Sequence, residues 1–149
     1  MLKFRGASNL SLDAKGRMVL PARYRERLAE ICDSQLVVTI DTDQPCLLIY
    51  PLNEWEIVEE KINALPGFNK VVRRIQRKLI GYATDVEVDG NGRMLLSAPL
   101  RNYAKLEKKA VLIGQGNKFE LWDEQLWEQH CMAEDEDDEI PPALAELSL

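Results

Sequence analysis

Leu12-Asp13-Ala14-Lys15-Gly16-Arg17-Met18-Val19-Leu20-Pro21-Ala22-Arg23-Tyr24-Arg25 returns 76 positions later as Val88-Asp89-Gly90-Asn91-Gly92-Arg93-Met94-Leu95-Leu96-Ser97-Ala98-Pro99-Leu100-Arg101. Asp, Gly, Arg, Met, Leu, Ala and Arg recur in register without a gap, so the chain contains one module twice. Each copy opens on Asp-x-x-Gly. The Asp side chain accepts from backbone N–H groups just ahead of it, and Gly takes positive φ without steric cost, so the pattern predicts a tight turn. Met18-Val19-Leu20 and Met94-Leu95-Leu96 then read as short apolar strands. Pro21 is expected to open a helix running to Ile31, and Ser97 to cap the matching helix, with Pro99 in its first turn.

The likeness continues downstream. Cys46-Leu47-Leu48-Ile49-Tyr50 with Trp55 parallels Lys118-Phe119-Glu120-Leu121-Trp122 with Trp127, now 72 positions apart. The second copy is therefore expected to lack about four residues in a loop. Leu36–Ile40 and Leu47–Tyr50 are strand-like runs around a polar turn containing Pro45. Val111–Ile113 and Phe119–Trp122 are their counterparts around Gly114-Gln115-Gly116-Asn117. Helical sequence follows, at 53–65, 69–82 and 123–132. In the second of these Lys70, Arg73, Arg74, Arg77 and Lys78 share one face and Val71, Val72, Ile75 and Leu79 the other. That basic face reads first as a solvated helix surface. The expected division is repeat 1 at 7–54, a helical connector at 55–82, repeat 2 at 83–126, and a helix with an acidic tail at 127–149. A module this small buries little core alone. The two copies should share one around a pseudo-two-fold axis, with Tyr50, Trp55, Trp122 and Trp127 as aromatic anchors inside or between subunits.

The 149 residues carry a net charge of −6, which hides an uneven distribution. Glu134-Asp135-Glu136-Asp137-Asp138-Glu139 is an unbroken acidic run, read as disordered together with Pro141-Pro142, although Leu144, Leu147 and Leu149 could dock. Residues 1–133 hold 19 basic against 18 acidic groups. Residues 1–27 hold seven Lys and Arg against Asp13 and Glu26 alone. A nucleic-acid partner is thus compatible with an acidic total, because local potential decides.

Arg17 and Arg93 each follow a turn glycine at a strand edge. A guanidinium held there suits phosphate oxygens or the O6 and N7 of guanine. Asp13 and Asp89 form the turns and can tie their Arg by a charged hydrogen bond. A purely structural turn is the competing reading, and the surplus of positive charge around the first copy weighs against it. The second copy is less basic, with Asn91 in place of Lys15 and Pro99 in place of Arg23. The first should therefore dominate phosphate contact. Arg25 and Arg101 read as partners in salt bridges, within the chain or between subunits.

Several classes are excluded as expectations. Cys32, Cys46 and Cys131 are odd in number and far apart, and His130 has no cysteine at ligand spacing, so no disulfide framework, metal or cofactor is expected. Phosphate-loop, GxSxG and HExxH signatures are absent, and no enzymatic activity or small-molecule substrate is expected. No apolar run is long enough to span a bilayer. Met1–Gly6 lacks the apolar core of a signal peptide, which makes a cytoplasmic protein the default.

The two Asp-x-x-Gly-Arg motifs, the Phe4-Arg5-Gly6 start and Asn117-Lys118-Phe119-Glu120-Leu121-Trp122 resemble the MraZ family, within the AbrB/SpoVT superfamily, from Phe4 to about Trp127. The resemblance implies an α+β fold of two pseudo-symmetric swapped-hairpin AbrB-like β modules with flanking helices, and assembly into a closed homo-oligomeric ring. It implies a nucleoid-associated repressor that binds direct repeats in double-stranded promoter DNA of its own division and cell-wall gene cluster. The family's Asp-x-x-x-Arg motif maps onto Asp13 with Arg17 and Asp89 with Arg93. With Lys15 and Arg5 these form the expected DNA-binding set. The rival reading is an oligomeric protein-binding scaffold or antitoxin-like module.

Overall fold

Each repeat folds through the same succession of elements, and the two copies exchange strands. The computed structural model describes residues 3–133 and 140–148. The first copy supplies strands β1 (Phe4–Ser11) and β2 (Arg17–Val19), helix α1 (Ala22–Cys32), strands β3 (Gln35–Ile40) and β4 (Leu47–Pro51), and helix α2 (Leu52–Asn63). Helix α3 (Lys70–Tyr82) leads to β5 (Thr84–Glu87), β6 (Arg93–Leu95), α4 (Ala98–Tyr103), β7 (Lys109–Gly116), β8 (Phe119–Asp123) and α5 (Glu124–Met132). A last short helix, α6, covers Pro142–Ala145. The protein is a mixed helix-and-sheet fold built on a repeat.

The larger sheet runs β1-β7-β8-β4-β3-β5, with every neighbour antiparallel. Each copy's first strand pairs with the other copy's third, and the fourth strands meet at the centre. There Leu48 faces Glu120, with Leu47 opposite Leu121 and Ile49 opposite Phe119. Leu48 and Glu120 are equivalent residues, so a pseudo-dyad passes between them. The same axis passes through a separate two-stranded ribbon, where β2 pairs with β6 and Met18 faces Met94. Neither copy completes a sheet alone, which is how two small modules obtain one core.

Period-2 alternation divides that core between two faces. Leu36, Val38, Ile40, Leu47, Ile49, Phe119 and Leu121 face one way and join Met18, Met94, Leu20, Leu96 and Leu28 in the main cluster. Phe4 anchors β1 there, 4.4 Å from the Phe119 ring and edge-on to Tyr24. Val37, Leu48 and Tyr50 face the other way, under Trp55 of α2. Trp122 is buried on that side too, while Trp127 of α5 is half-buried and stacks on it at 5.7 Å.

Two expectations change. Ser97 occupies the cap position of α4, but its side chain makes no cap hydrogen bond. The shortening of the second copy is not one loop. Pairing of Leu36 with Val86 and of Ala110 with Leu10 puts the third strands 74 positions apart. Two residues are lost around the shorter helix α4 and two in the following hairpin. Helix α3 is amphipathic as read and is capped by Asn69, whose side chain accepts from Val71 and Val72 N–H. Its apolar face is only partly covered: no residue is buried, and Val71 is 52% exposed. In the tail, Leu144 and Leu147 are exposed. The acidic run 134–139 and Leu149 lie outside the described residues.

Candidate nucleic-acid interface

The sequence Asp-x-x-Gly-Arg builds the same object twice. In the first turn the Gly16 N–H donates to the Asp13 carbonyl at 3.0 Å, and the Asp13 N–H donates to the Arg17 carbonyl at 2.9 Å. One Asp13 carboxylate oxygen accepts from the Lys15 and Arg17 N–H groups at 3.0 and 2.9 Å. The other accepts from Arg17 Nε at 2.7 Å. Asp89 repeats this with Asn91 N–H, Arg93 N–H and Arg93 Nε, at 2.9, 2.9 and 3.0 Å. The donated backbone N–H of the arginine, then its side chain, hold Asp13 below the usual carboxylate range. Asp89 is lowered in the same direction, first by the Arg93 N–H.

The carboxylate takes only the Nε–H of each arginine. Arginine has five N–H donors, and the four on the terminal nitrogens of Arg17 and Arg93 have no hydrogen-bond partner among the described residues. Both side chains are about two-fifths exposed. An exposed ion pair of this kind adds little stability. Its effect is to fix the direction in which the guanidinium points.

The glycines close the turns against the opposite copy. Leu20 N–H donates to the Gly92 carbonyl at 2.8 Å and Leu96 N–H to the Gly16 carbonyl at 2.9 Å. Arg25 and Arg101 make no salt bridge among the described residues, so the intramolecular alternative of that expectation is not formed. Their Nε atoms donate to the Leu20 and Leu96 carbonyls at 2.7 and 3.1 Å. From there each guanidinium lies over the other copy's turn. A Cβ on Gly16 would come within 2.6 Å of Arg101 Nε, and a Cβ on Gly92 within 2.2 Å of Arg25 Nε. Both glycines also have positive φ, at +87° and +78°. The recurring second arginine is thus a clasp between the copies.

The ribbon has two faces. Met18 and Met94 point inward and are 1% exposed. Arg17, Val19, Arg93 and Leu95 point outward, with Arg17 paired to Leu95 and Val19 to Arg93. Lys15 is exposed in the first turn. Arg5 belongs elsewhere: it is on β1, opposite Gln115, and lines a cavity of about 330 Å³ with Lys3, Arg23, Tyr24 and Arg27. Arg23 donates to Ser8 Oγ at 2.6 Å, and Tyr24 Oη donates to the Arg5 carbonyl at 2.6 Å. No acidic group of the described residues pairs with these four cations. Arg23 and Arg27 were visible in sequence only as part of a basic surplus. Val19 and Leu95 sit inside unbroken apolar runs, so they were read as core strand, and only the pairing of the ribbon turns them outward.

One group of three potential metal ligands occurs among the described residues, Asp41, Cys46 and Glu120, within 4.8 Å of one another. Burial first, then the Glu120 and Asp41 charges, push the Cys46 thiol far above its usual value. The Glu120 carboxylate accepts from Trp122 Nε1 at 2.9 Å. No helix of the described residues is long and apolar enough to cross a membrane.

The family model described as "MraZ protein, putative antitoxin-like" matches residues 3–78 and again 79–143. A protein of Alkalilimnicola ehrlichii named Transcriptional regulator MraZ is 51% identical over 98% of this chain and 99% of its own length. Its namesake in Thioalkalivibrio sulfidiphilus is 53% identical over 98% and 99%. The one in Pseudomonas aeruginosa is 56% identical over 88% and 85%. With two matches end to end and relatives above half identity along nearly its whole length, this chain belongs to the MraZ family.

Proposed function

We propose that this protein is a sequence-specific DNA-binding regulator of transcription, not an enzyme. It represses its own division and cell-wall gene cluster in the cytoplasm, on the nucleoid, by binding direct repeats in promoter DNA. The names of its relatives, all regulators of transcription, support this reading. The interleaved sheet and central ribbon agree with two swapped-hairpin AbrB-like modules at 7–54 and 83–126, joined by helices at 55–82.

One observation carries the reading. The outer face of the β2–β6 ribbon presents Arg17 and Arg93 with their terminal nitrogens unpartnered among the described residues and their directions fixed by Asp13 and Asp89. A two-stranded ribbon fits the major groove, where guanine offers O6 and N7 to an arginine fork. Lys15 and Arg5 contribute phosphate contacts, which position without specifying. Subunits closed into a ring repeat the ribbon at fixed spacing, so weak contacts to successive repeats multiply.

The test is a gel shift with the DNA upstream of the protein's own gene, without other proteins. Arg17→Ala should weaken binding by at least about ten-fold, the loss of one base-reading arginine, with native mass unchanged. Undiminished shifts by the variant would overturn the reading. Failure of the pure wild-type protein to shift DNA at low salt would favour a protein-binding module instead.

A further inference from the structure

Beside the two arginines, the ribbon's outer face carries two aliphatic side chains that nothing covers. Val19 is 44% exposed and Leu95 55%. They are equivalent residues of the two repeats, and each is the direct cross-strand partner of the other copy's arginine. Such partners have Cβ atoms roughly 5 Å apart. A face built only to hold phosphates has no use for Val and Leu there, because phosphate oxygens accept hydrogen bonds and aliphatic groups donate none.

We infer that Val19 and Leu95 read thymine, by packing against its C5-methyl group in the major groove. The inference rests on the DNA-binding reading above and adds a base to it. Thymine is the only base whose major-groove edge carries a methyl group. An arginine forked onto guanine brings its aliphatic partner within one or two base steps, about 3.4 Å each. Each half of the ribbon therefore selects a guanine with a thymine close by. Charge complementarity names the occupant: two guanidinium groups flank the aliphatic pair, and duplex DNA offers acceptors and methyl groups on one surface.

The experiment uses the full-length protein and the fragment upstream of its gene, amplified once with dTTP and once with dUTP. Deoxyuridine pairs like thymidine and lacks only the methyl group. Wild-type protein should bind the uridine fragment about four-fold more weakly for each methyl group contacted, the equivalent of one buried carbon. In the Val19→Ala/Leu95→Ala variant the ratio should fall to about one, with native mass unchanged. Equal wild-type affinity for both fragments would overturn the inference and leave DNA binding standing. So would a ratio that persists in the variant, which marks altered DNA stiffness, or a change of native mass, which makes the pair a contact between copies. Binding to neither fragment would sink the DNA reading itself.

Discussion

Ile40 and Gly114 hold the same place in equivalent strands, and they meet opposite surroundings. Ile40 is fully buried and pairs only with Leu47, because β5 stops at Thr84 opposite Val38. Gly114 pairs with Gly6 of β1, which runs on to Phe4. The difference lies in the entering strands. β1 has 8 residues and β5 has 4, because the residues that would extend β5 belong to α3. Where a strand passes close, the chain needs a residue without a Cβ. Where it does not, the space is filled by a branched side chain. The repeat is therefore symmetric along its axis and asymmetric at its edges.

Gly114→Ala breaks that comparison most severely. The new Cβ would lie 2.4 Å from the Arg5 nitrogen and 2.7 Å from the Phe4 carbonyl carbon, both backbone atoms that no rotamer can move. The expected response is detachment of the start of β1, withdrawing Phe4 from the core. Loss of a buried Phe costs about 3–5 kcal/mol, which for a chain of this size lowers Tm by roughly 10 °C. Thermal unfolding and amide exchange over residues 4–7 check it. A variant with unchanged Tm would mean that β1 is not held as described.

The same asymmetry appears in two cavities related by the pseudo-dyad. The first is the basic one formed by Lys3, Arg5, Arg23, Tyr24 and Arg27. The second, about 460 Å³, has Gly81, Pro99 and Leu100 where the first has Arg5, Arg23 and Tyr24. Under the proposed function the first meets phosphate and the second does not. Arg23→Ala should reduce the slope of log affinity against log salt by about one for each subunit that engages the DNA, since each then neutralises one phosphate fewer. Pro99→Ala should leave the slope alone. Arg23 also ties to Ser8, so Ser8→Ala serves as the control: it removes that hydrogen bond and keeps the charge, and its slope should stay at the wild-type value.

What the sequence disclosed follows from the range of the interactions involved. The Asp turns were legible because each donor lies two or four residues from its acceptor. Met18 and Met94 were legible as core only as members of the apolar runs Met-Val-Leu and Met-Leu-Leu, which do not separate the inward residue from its outward neighbour. Strands β1 and β5 were not: Phe-Arg-Gly-Ala-Ser-Asn-Leu-Ser and Thr-Asp-Val-Glu are edge strands, and backbone pairing across a long sequence gap leaves little mark on composition. Arg25 and Arg101 misled for a related reason. Their recurrence marked them as important, but their clasped turns come from the other repeat, more than 60 residues away. Of the DNA-binding set, only the Asp–Arg pairs and Lys15 fall together, and Arg5 lies at a different cavity.

The acid response of the two turns should run in the same direction in both repeats, and that is itself a test. Asp13 and Asp89 are both held below 3.8, with the arginine backbone N–H as the leading cause in each. A carboxylate whose native pKa is lowered binds protons less readily in the folded state than in the unfolded one. Its contribution to stability is therefore whole above the unfolded value, near 3.8, and is lost as pH falls through the lowered native value. Carbon-detected titration of the two carboxyl groups should place both midpoints below the usual carboxylate value. In Arg93→Ala the leading backbone N–H survives, so Asp89 should move up only part of the way while Asp13 stays in place. If Asp13 moved as well, the cross-copy hydrogen bonds of Leu20 and Leu96 to the Gly92 and Gly16 carbonyls would be carrying the change from one turn to the other, and the Asp–Arg pairs would not be independent.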